Sequence, residues 1–363
     1  MKVALIGVGQ AGGKIAQAMA EHDHRMDFGA IQGGLAVNTA KGDLEPLDLD
    51  TVLVGQDRVK GHGVGGDNEL GAEVMQNDVG EVMDALDGRI TARAEAIVVA
   101  AGLGGGTGSG GAPVLVRELS RVYDLPVYGL GVLPGENEGG MYQANAGRSL
   151  KTLVREADSL LLIDNDAWHE SGESVKEAYA AINEAIARRI GLLIAAGEID
   201  AGAEVAESVV DSSEIINTLR NGGIAAVGYA TATLGEDGAE NVNAVTSVVR
   251  RALLTNTSVP DASTAETGLV VVAGPVDRIP RKGVERARKW VEEETGSLEV
   301  RGGDFPVDSD KVAAIVLLGG IERSDRLNRF LERAEEAQRQ QTQPAQEPDP
   351  SEAFANDELE DLF

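Results

Sequence analysis

From Gly102 to Pro113 the chain reads GLGGGTGSGGAP, with seven glycines in the ten positions from Gly102 to Gly111. Glycine gives up more backbone freedom on folding than any other residue, so such a run is costly unless bare backbone must approach something closely. The run follows an apolar stretch, Ala96 to Ala100, and leads into an amphipathic stretch, Val114 to Val122. That order predicts a strand, a glycine loop and a helix. A helix N-terminus behind such a loop presents peptide N–H groups and a positive dipole end to phosphate.

A second glycine loop, GVGQAGG at residues 7 to 13, lies between a strand candidate, Val3 to Ile6, and a helical stretch, Ile15 to Ala20. Taken alone it is ambiguous. Gly7, Gly9 and Gly12 satisfy the dinucleotide fingerprint GxGxxG, and a tight turn without a ligand would read the same way. No GxxxxGK[ST] occurs, so the chain is not a P-loop protein.

Further strand candidates are Ala30 to Gln32 or Leu35 to Val37, then Thr51 to Val54, Val127 to Val132 and Ser159 to Ile163. Several are unbroken Val/Ile/Leu runs, as expected of strands buried on both faces of a helix-covered parallel sheet. The first half therefore reads as an α/β nucleotide-binding domain. Ser174 to Ala196 has alanine-rich helical periodicity without proline and reads as a long connecting helix. The following segment to Ile215 reads as a loop. Gly223 to Thr233, Leu269 to Ala273 and Val312 to Leu318 form a second strand set, with helices near Glu240 to Leu254 and Lys282 to Thr295. A charged helix, Ser324 to about Gln340, precedes QQTQPAQEPDPSEAFANDELEDLF, whose composition predicts disorder. Phe354, Leu359, Leu362 and Phe363 leave two readings of this tail open, a peptide that docks a protein partner or a plain solvated end.

Asp and Glu number 60 against 32 Lys and Arg, a formal charge of -28. Such a field repels nucleic acid and anionic membrane surfaces. Phosphates are then best held by neutral peptide dipoles and a cation, for which Mg2+ is the expected choice. Of the basic residues 23 are Arg and 9 Lys, a balance suited to solubility at high salt. With no cysteine and four scattered histidines (His22, His24, His62, His169), no protein metal site is expected. No apolar run is long enough to span a membrane, and MKVALIGVG is too short for a signal peptide, so the expected location is the cytoplasm.

GLGGGTGSG resembles the GGGTG[ST]G signature of the tubulin/FtsZ superfamily of polymerising GTPases, and Gly9-Gln10-Ala11-Gly12 is similar to tubulin's GQxG. The acidic composition and the lack of FtsZ's C-terminal docking motif point to the archaeal CetZ group. The resemblance spans about residues 1 to 320. It implies phosphate contacts at Gln10, Ala11, Gly12, Gly13 and Lys14, and at Gly104, Gly105, Gly106, Thr107 and Gly108. Lys60 to Gly71 is similar to the loop that closes on the γ-phosphate. Glu138 in VLPGENEGG takes the ribose-binding position, and Asn165, Tyr179 and Asn183 take those that read guanine; as an i, i+4 pair, Tyr179 and Asn183 share a helix face.

The segment VVDSSEIINTLRNGG resembles FtsZ's NxDFADVxTIMxxxG, which a neighbouring subunit inserts over the γ-phosphate, and places Asp211 and Glu214 at its two acidic positions. By themselves these residues also read as a helix N-cap pattern, with Asp211 or Ser212 as the cap. Departures from the family fall at Val209, Tyr142, Lys14 and Asn38-Thr39-Ala40.

The resemblance implies an α/β tubulin/FtsZ-like fold with a parallel-sheet GTP-binding domain over residues 1 to 173. A connecting helix over 174 to 196, a catalytic loop and helix over 197 to 222, and a smaller mixed α/β domain over 223 to 335 follow, then a disordered acidic tail over 336 to 363. It implies GTP and GDP as ligands, hydrolysis completed by a neighbouring subunit, a head-to-tail filament of the chain with itself, and a role in cell shape. Two alternatives stay open: a dinucleotide-dependent oxidoreductase, which requires an acidic residue at the end of the second strand, and a GTP-binding regulator that does not polymerise.

Overall fold

The computed structural model describes residues 1–168, 175–197, 210–235, 241–307 and 309–342. Its first half is built from β1 (Val3–Val8), α1 (Gly9–Met26), β2 (Ile31–Asn38), α2 (Lys41–Leu44), β3 (Asp50–Leu53), α3 (Gln56–Val59) and α4 (Asn68–Leu86). Next come β4 (Ala96–Gly102), α5 (Gly106–Val122), β5 (Val127–Leu133), α6 (Gly140–Glu156) and β6 (Ser159–Asp164). The long helix α7 (Val175–Ala196) and α8 (Ser212–Leu219) lead to β7 (Ile224–Thr233), α9 (Asn241–Leu254), β8 (Ala262–Gly274) and α10 (Arg281–Thr295). Finally β9 (Glu299–Pro306) and β10 (Lys311–Ser324) precede α11 (Asp325–Thr342).

The strands form one ten-stranded sheet in the order β3-β2-β1-β4-β5-β6-β7-β10-β8-β9. The pairs from β3 to β7 are parallel, β10 runs antiparallel to β7 and β8, and β9 pairs parallel with β8. The two halves meet at a short β6–β7 pairing, Leu160 with Ile224 and Leu161 with Ala225.

All six residues of β1 are buried because successive side chains enter opposite cores. Val3 and Leu5 pack with Ile15 and Met19 of α1 and Ile186 and Ile190 of α7. Ala4, Ile6 and Val8 face Met75 of α4, Leu115 of α5 and Phe330 of α11. Leu269 and Val271 of β8 join the first core and Val270 and Val272 a third, under α9 and α10, so α7 backs both halves of the sheet.

The structure merges the two candidates for the second strand into one, β2, and adds β9, which the glycines Gly302 and Gly303 hide from a propensity reading. Asp211 caps α8 by accepting the Glu214 N–H at 3.1 Å, so the segment before Ile215 is partly helical. The expected tail is shortened: residues 336 to 342 belong to α11, where Ala337 packs against Gly140 of α6. Residues 343 to 363, including Phe354, Leu359, Leu362 and Phe363, lie outside the described residues. No described helix is long and apolar enough to cross a membrane.

Candidate functional site

Both glycine loops sit at the C-terminal ends of adjacent parallel strands, β1 and β4, where an open α/β sheet leaves a crevice. Gly9 opens α1 with φ 75°, and a side chain there would stand 2.7 Å from the Gly108 nitrogen. The N-termini of α1 and α5 therefore converge, neither with an acidic residue in its first turn. They open onto a cavity of about 580 Å³.

α5 begins at Gly106, eight residues ahead of the expected Val114, and takes half the glycine run into its first turns. Glycine inside a helix costs about 1 kcal/mol relative to alanine, so packing must offset it. The close neighbour is α4. A Cβ on Gly110 would lie 2.0 Å from the Asn68 carbonyl, and one on Gly71 2.4 Å from that of Gly106. A side chain on Gly105 would meet nothing within 4 Å. The run thus serves two purposes, a bare wall at Gly104 to Gly108 and close helix packing at Gly110 and Gly111.

Of the residues expected to contact nucleotide, Gln10, Ala11, Lys14, Gly104, Gly105, Gly106, Thr107, Gly108, Glu138, Asn165, Tyr179 and Asn183 all line this cavity. Gly12 and Gly13 do not. Because α1 starts at Gly9, its period brings Gln10 and Lys14 to the cavity and turns Gly12 and Gly13 away. A Cβ on Gly12 would reach the Ala100 carbonyl at 2.2 Å and one on Gly13 the Leu47 side chain at 3.0 Å, so both are packing glycines. Lys14 is the one lysine or arginine among the lining residues.

At the far end, buried Asn165 follows β6, and Tyr179, buried Ile182 and Asn183 project from α7. The Tyr179 hydroxyl donates to Glu138 Oε1 at 3.4 Å, and burial, aided by that carboxylate, pushes the phenol above its ordinary range. Glu138 Oε1 also accepts the Gly135 N–H at 2.8 Å. Tyr142 adds a second exposed ring beside Gly104. Buried Arg326 of α11 pairs with Asp164 and Asp166 on either side of Asn165, clamping this end to the helix.

Thr107, expected at the site, has a partner there, and two further site residues, Asn145 and Asp43, escape a sequence reading. Thr39 and Thr107, both buried, join through their hydroxyls at 2.7 Å. Asn145 Nδ2 donates to the carbonyls of Gly66 at 2.7 Å and Gly104 at 3.0 Å, tying together two loops of the cavity wall. Asp43 lines the cavity and accepts from Gln10 Nε2 at 2.7 Å and Asn38 Nδ2 at 3.2 Å. Its only sequence signal is an acid two residues past Lys41, one among 60.

For Mg2+ these oxygen donors fit. The ion takes one or two carboxylates and leaves its other positions to phosphate oxygens and water. Asp43 and the Gln10 amide oxygen would supply the protein's share. Among the described residues no cluster of three or more His, Cys, Asp or Glu could hold a metal unaided.

Asp211 and Glu214 are not in the cavity. Ser212 donates to Glu95 at 2.5 Å, immediately before β4, so the start of α8 lies at the opposite end of the strands from Gly102. Seven residues of β4 at roughly 3.3 Å each put about 20 Å between these acids and the glycine loops of the same chain. The Ser213 hydroxyl, at 2.5 Å, holds the Asp211 carboxyl below its ordinary range. Burial, and then Asp211, push Glu214 upward, and Glu214 Oε2 is buried without a hydrogen-bond partner.

A parallel sheet with two converging glycine-led helix N-termini, joined by a long helix to a mixed sheet, defines a nucleotide-binding protein of the tubulin/FtsZ class. Residues 2–173 match the GTPase domain of the tubulin/FtsZ family, and residues 172–336 match the C-terminal domain of tubulin-like CetZ. The chain belongs to the CetZ family of tubulin-like proteins. It is 63% identical to the tubulin-like protein CetZ2 of Haloferax volcanii over all of both chains, and 33% identical to the CetZ of Pyrococcus abyssi over 89% of this chain and 87% of that one. A GTPγS-bound protofilament of Haloferax volcanii CetZ2 superposes with a TM-score of 0.90, covering 94% of this chain and 99% of that one at 63% identity. A GDP-bound monomer of CetZ1 from the same organism superposes at 0.86, over 93% and 100% at 49% identity.

Proposed function

We propose that this protein is a GTP-dependent, head-to-tail polymerising cytoskeletal GTPase of the cytoplasm, acting in control of cell shape. The observation that carries this reading is the separation of the glycine loops from the Asp211/Glu214 pair. The cavity opens at one end of the parallel strands and the acids lie at the other, so neither end is a complete hydrolytic site. Stacking one subunit on the next brings the two together, and a head-to-tail contact that does not close on itself grows into a filament. Supporting it are the relatives, one a GTPγS-bound protofilament and another a GDP-bound monomer. An oxidoreductase reading loses its support, because β2 ends in Asn38, where a dinucleotide site needs an acid.

In this reading the N–H groups of α1 and α5 and the Lys14 ammonium hold the phosphates of GTP. Glu138 contacts the ribose, Tyr179 stacks on guanine, and Asn165 and Asn183 hydrogen-bond its edge. Bound with the nucleotide, Mg2+ would supply neutralising charge, with Asp43 and the Gln10 amide oxygen holding it. Asp211 and Glu214 of the next subunit orient and polarise the attacking water, which is most of what phosphoryl transfer asks of a protein. The charge of -28 argues against nucleic-acid and membrane-surface partners. Residues 343 to 363 are the expected site for a protein partner.

Light scattering and phosphate release, followed with GTP and Mg2+ across KCl concentrations, test the proposal. Wild type should assemble and turn over, while Asp211→Ala and Glu214→Ala bind GTP, form persistent polymers and release little phosphate. Normal turnover in both variants would sink the catalytic assignment, and GTP binding without filaments at any salt would make the protein a non-polymerising regulator.

A further inference from the structure

A second cavity, of about 590 Å³, lies beneath α8 between α10 and β9. Glu214 and Arg301 line it together, with Val276, Ile279, Val284 and Val300 supplying apolar walls. Arg301 stands on β9, opposite Leu269 of β8. The hydroxyl of Thr267, two residues before Leu269, donates to the Thr218 carbonyl of α8 at 2.7 Å, so α8 and β9 are both anchored on the same stretch of β8. The other charged groups of this cavity are Arg281, Glu285 and Arg288 of α10 and Asp304 of β9, and Asp211 adjoins it on α8. Arg281 is engaged by Glu285 at 2.9 Å, and Arg288 donates to the Val300 carbonyl at 3.1 Å. Arg301 carries an ion pair with Glu299, two residues away on the same strand.

Resting on the reading above, we propose that Arg301 is a positioning residue for GTP hydrolysis, acting across the cavity it shares with Glu214 to keep that carboxylate charged as α8 meets the next subunit. Glu214 Oε2 is buried without a hydrogen-bond partner, so no donor at that oxygen steadies its charge. Its burial raises its proton affinity, Asp211 raises it further, and Arg301 opposes both. Covering this face with another subunit removes more water and strengthens every one of these effects. Without the guanidinium, Glu214, which the proposed reaction needs ionised, takes a proton more readily. Glu299 competes for Arg301 and so sets how much of its charge reaches Glu214.

The test is the pH profile of GTP turnover per mass of pelleted polymer for wild type, Arg301→Gln, Arg301→Lys and Glu299→Gln. Arg301→Gln should move the acid limb up by about one pH unit, which lowers turnover on that limb by up to about tenfold. Arg301→Lys should restore most of the wild-type limb, and Glu299→Gln should move it down. GTP affinity should stay unchanged, because the nucleotide cavity is at the other end of the strands. If Arg301→Gln yields no polymer, Glu299→Gln decides, and an unmoved limb overturns the proposal. A limb that Arg301→Gln leaves in place, with Asp211→Ala inactive, overturns this inference and spares the reading it rests on. Full turnover in Asp211→Ala would remove that reading instead.

Discussion

Thr39 and Thr107 share a hydrogen bond of 2.7 Å that ties the end of β2 to the first turn of α5, inside the wall of the nucleotide cavity. Both residues are buried, and each hydroxyl is the other's hydrogen-bond partner. Thr39→Val should cost about 1–3 kcal/mol, the penalty of one orphaned buried hydroxyl. The double change Thr39→Val with Thr107→Val should cost less than the sum of the single ones, because no hydroxyl is then left alone. Chemical unfolding of the four proteins measures this.

The glycine run should divide under alanine substitution. At Gly110 the new methyl meets the Asn68 carbonyl at 2.0 Å, which forces α4 and α5 apart and should cost about 1–3 kcal/mol or more in thermal or chemical unfolding. At Gly105 it meets nothing, and the backbone (φ -71°, ψ 173°) suits any residue. Gly105→Ala should therefore keep stability within about 0.5 kcal/mol. It should weaken GTP binding, by titration of a fluorescent guanine nucleotide, because the methyl occupies the phosphate side of the cavity.

Asp211 is both the α8 N-cap and a proposed hydrolytic residue, and two substitutions separate the roles. Asp211→Ala removes the cap at a cost of about 1 kcal/mol and removes the carboxylate. Asp211→Ser keeps a capping oxygen and should hold near wild-type stability while losing turnover just as fully. Equal turnover in Asp211→Ser and wild type would make the residue a cap alone.

Glu214 should leave a signature in stability against pH. Burial raises its folded-state proton affinity, so the unfolded chain ionises first, at an ordinary value of 4.5. Its contribution is most favourable below that value and falls as pH rises through the raised folded value. Asp211, held low, behaves oppositely: its contribution is present at neutral pH and fades only in acid. Glu214→Gln should thus gain stability relative to wild type as pH rises from 4.5 towards neutrality, with denaturant midpoints as the readout. A constant difference across that range would show that the carboxyl is not desolvated.

Assembly should need salt. Subunits of charge -28 repel at the roughly 10 Å Debye length of 0.1 M salt and much less at about 3 Å in 1 M. Pelleted polymer should be negligible in 0.1 M KCl and rise towards molar KCl, while GTP binding, held by local peptide dipoles, should persist at both.

Local pattern carried much of this protein. The unbroken apolar runs of β1, β4 and β6 announced parallel strands buried on both faces, the two glycine loops announced helix N-termini turned towards phosphate, and the alanine-rich period of α7 announced the long helix. All are properties of consecutive residues, which a chain displays before it folds. Through-space contacts were decided only by the tertiary structure. They packed Gly12 against Ala100 and Gly13 against Leu47, and gave Gly110 to α4. They brought Asp43 beside Gln10, 33 residues away, and set Arg301 in a cavity wall with Glu214. The start of α8 at the far end of the strands from Gly102 is likewise a matter of sheet direction: parallel strands place every loop that follows them at one end, so a residue just before β4 shares its end with the chain that enters the sheet, never with the site where it leaves.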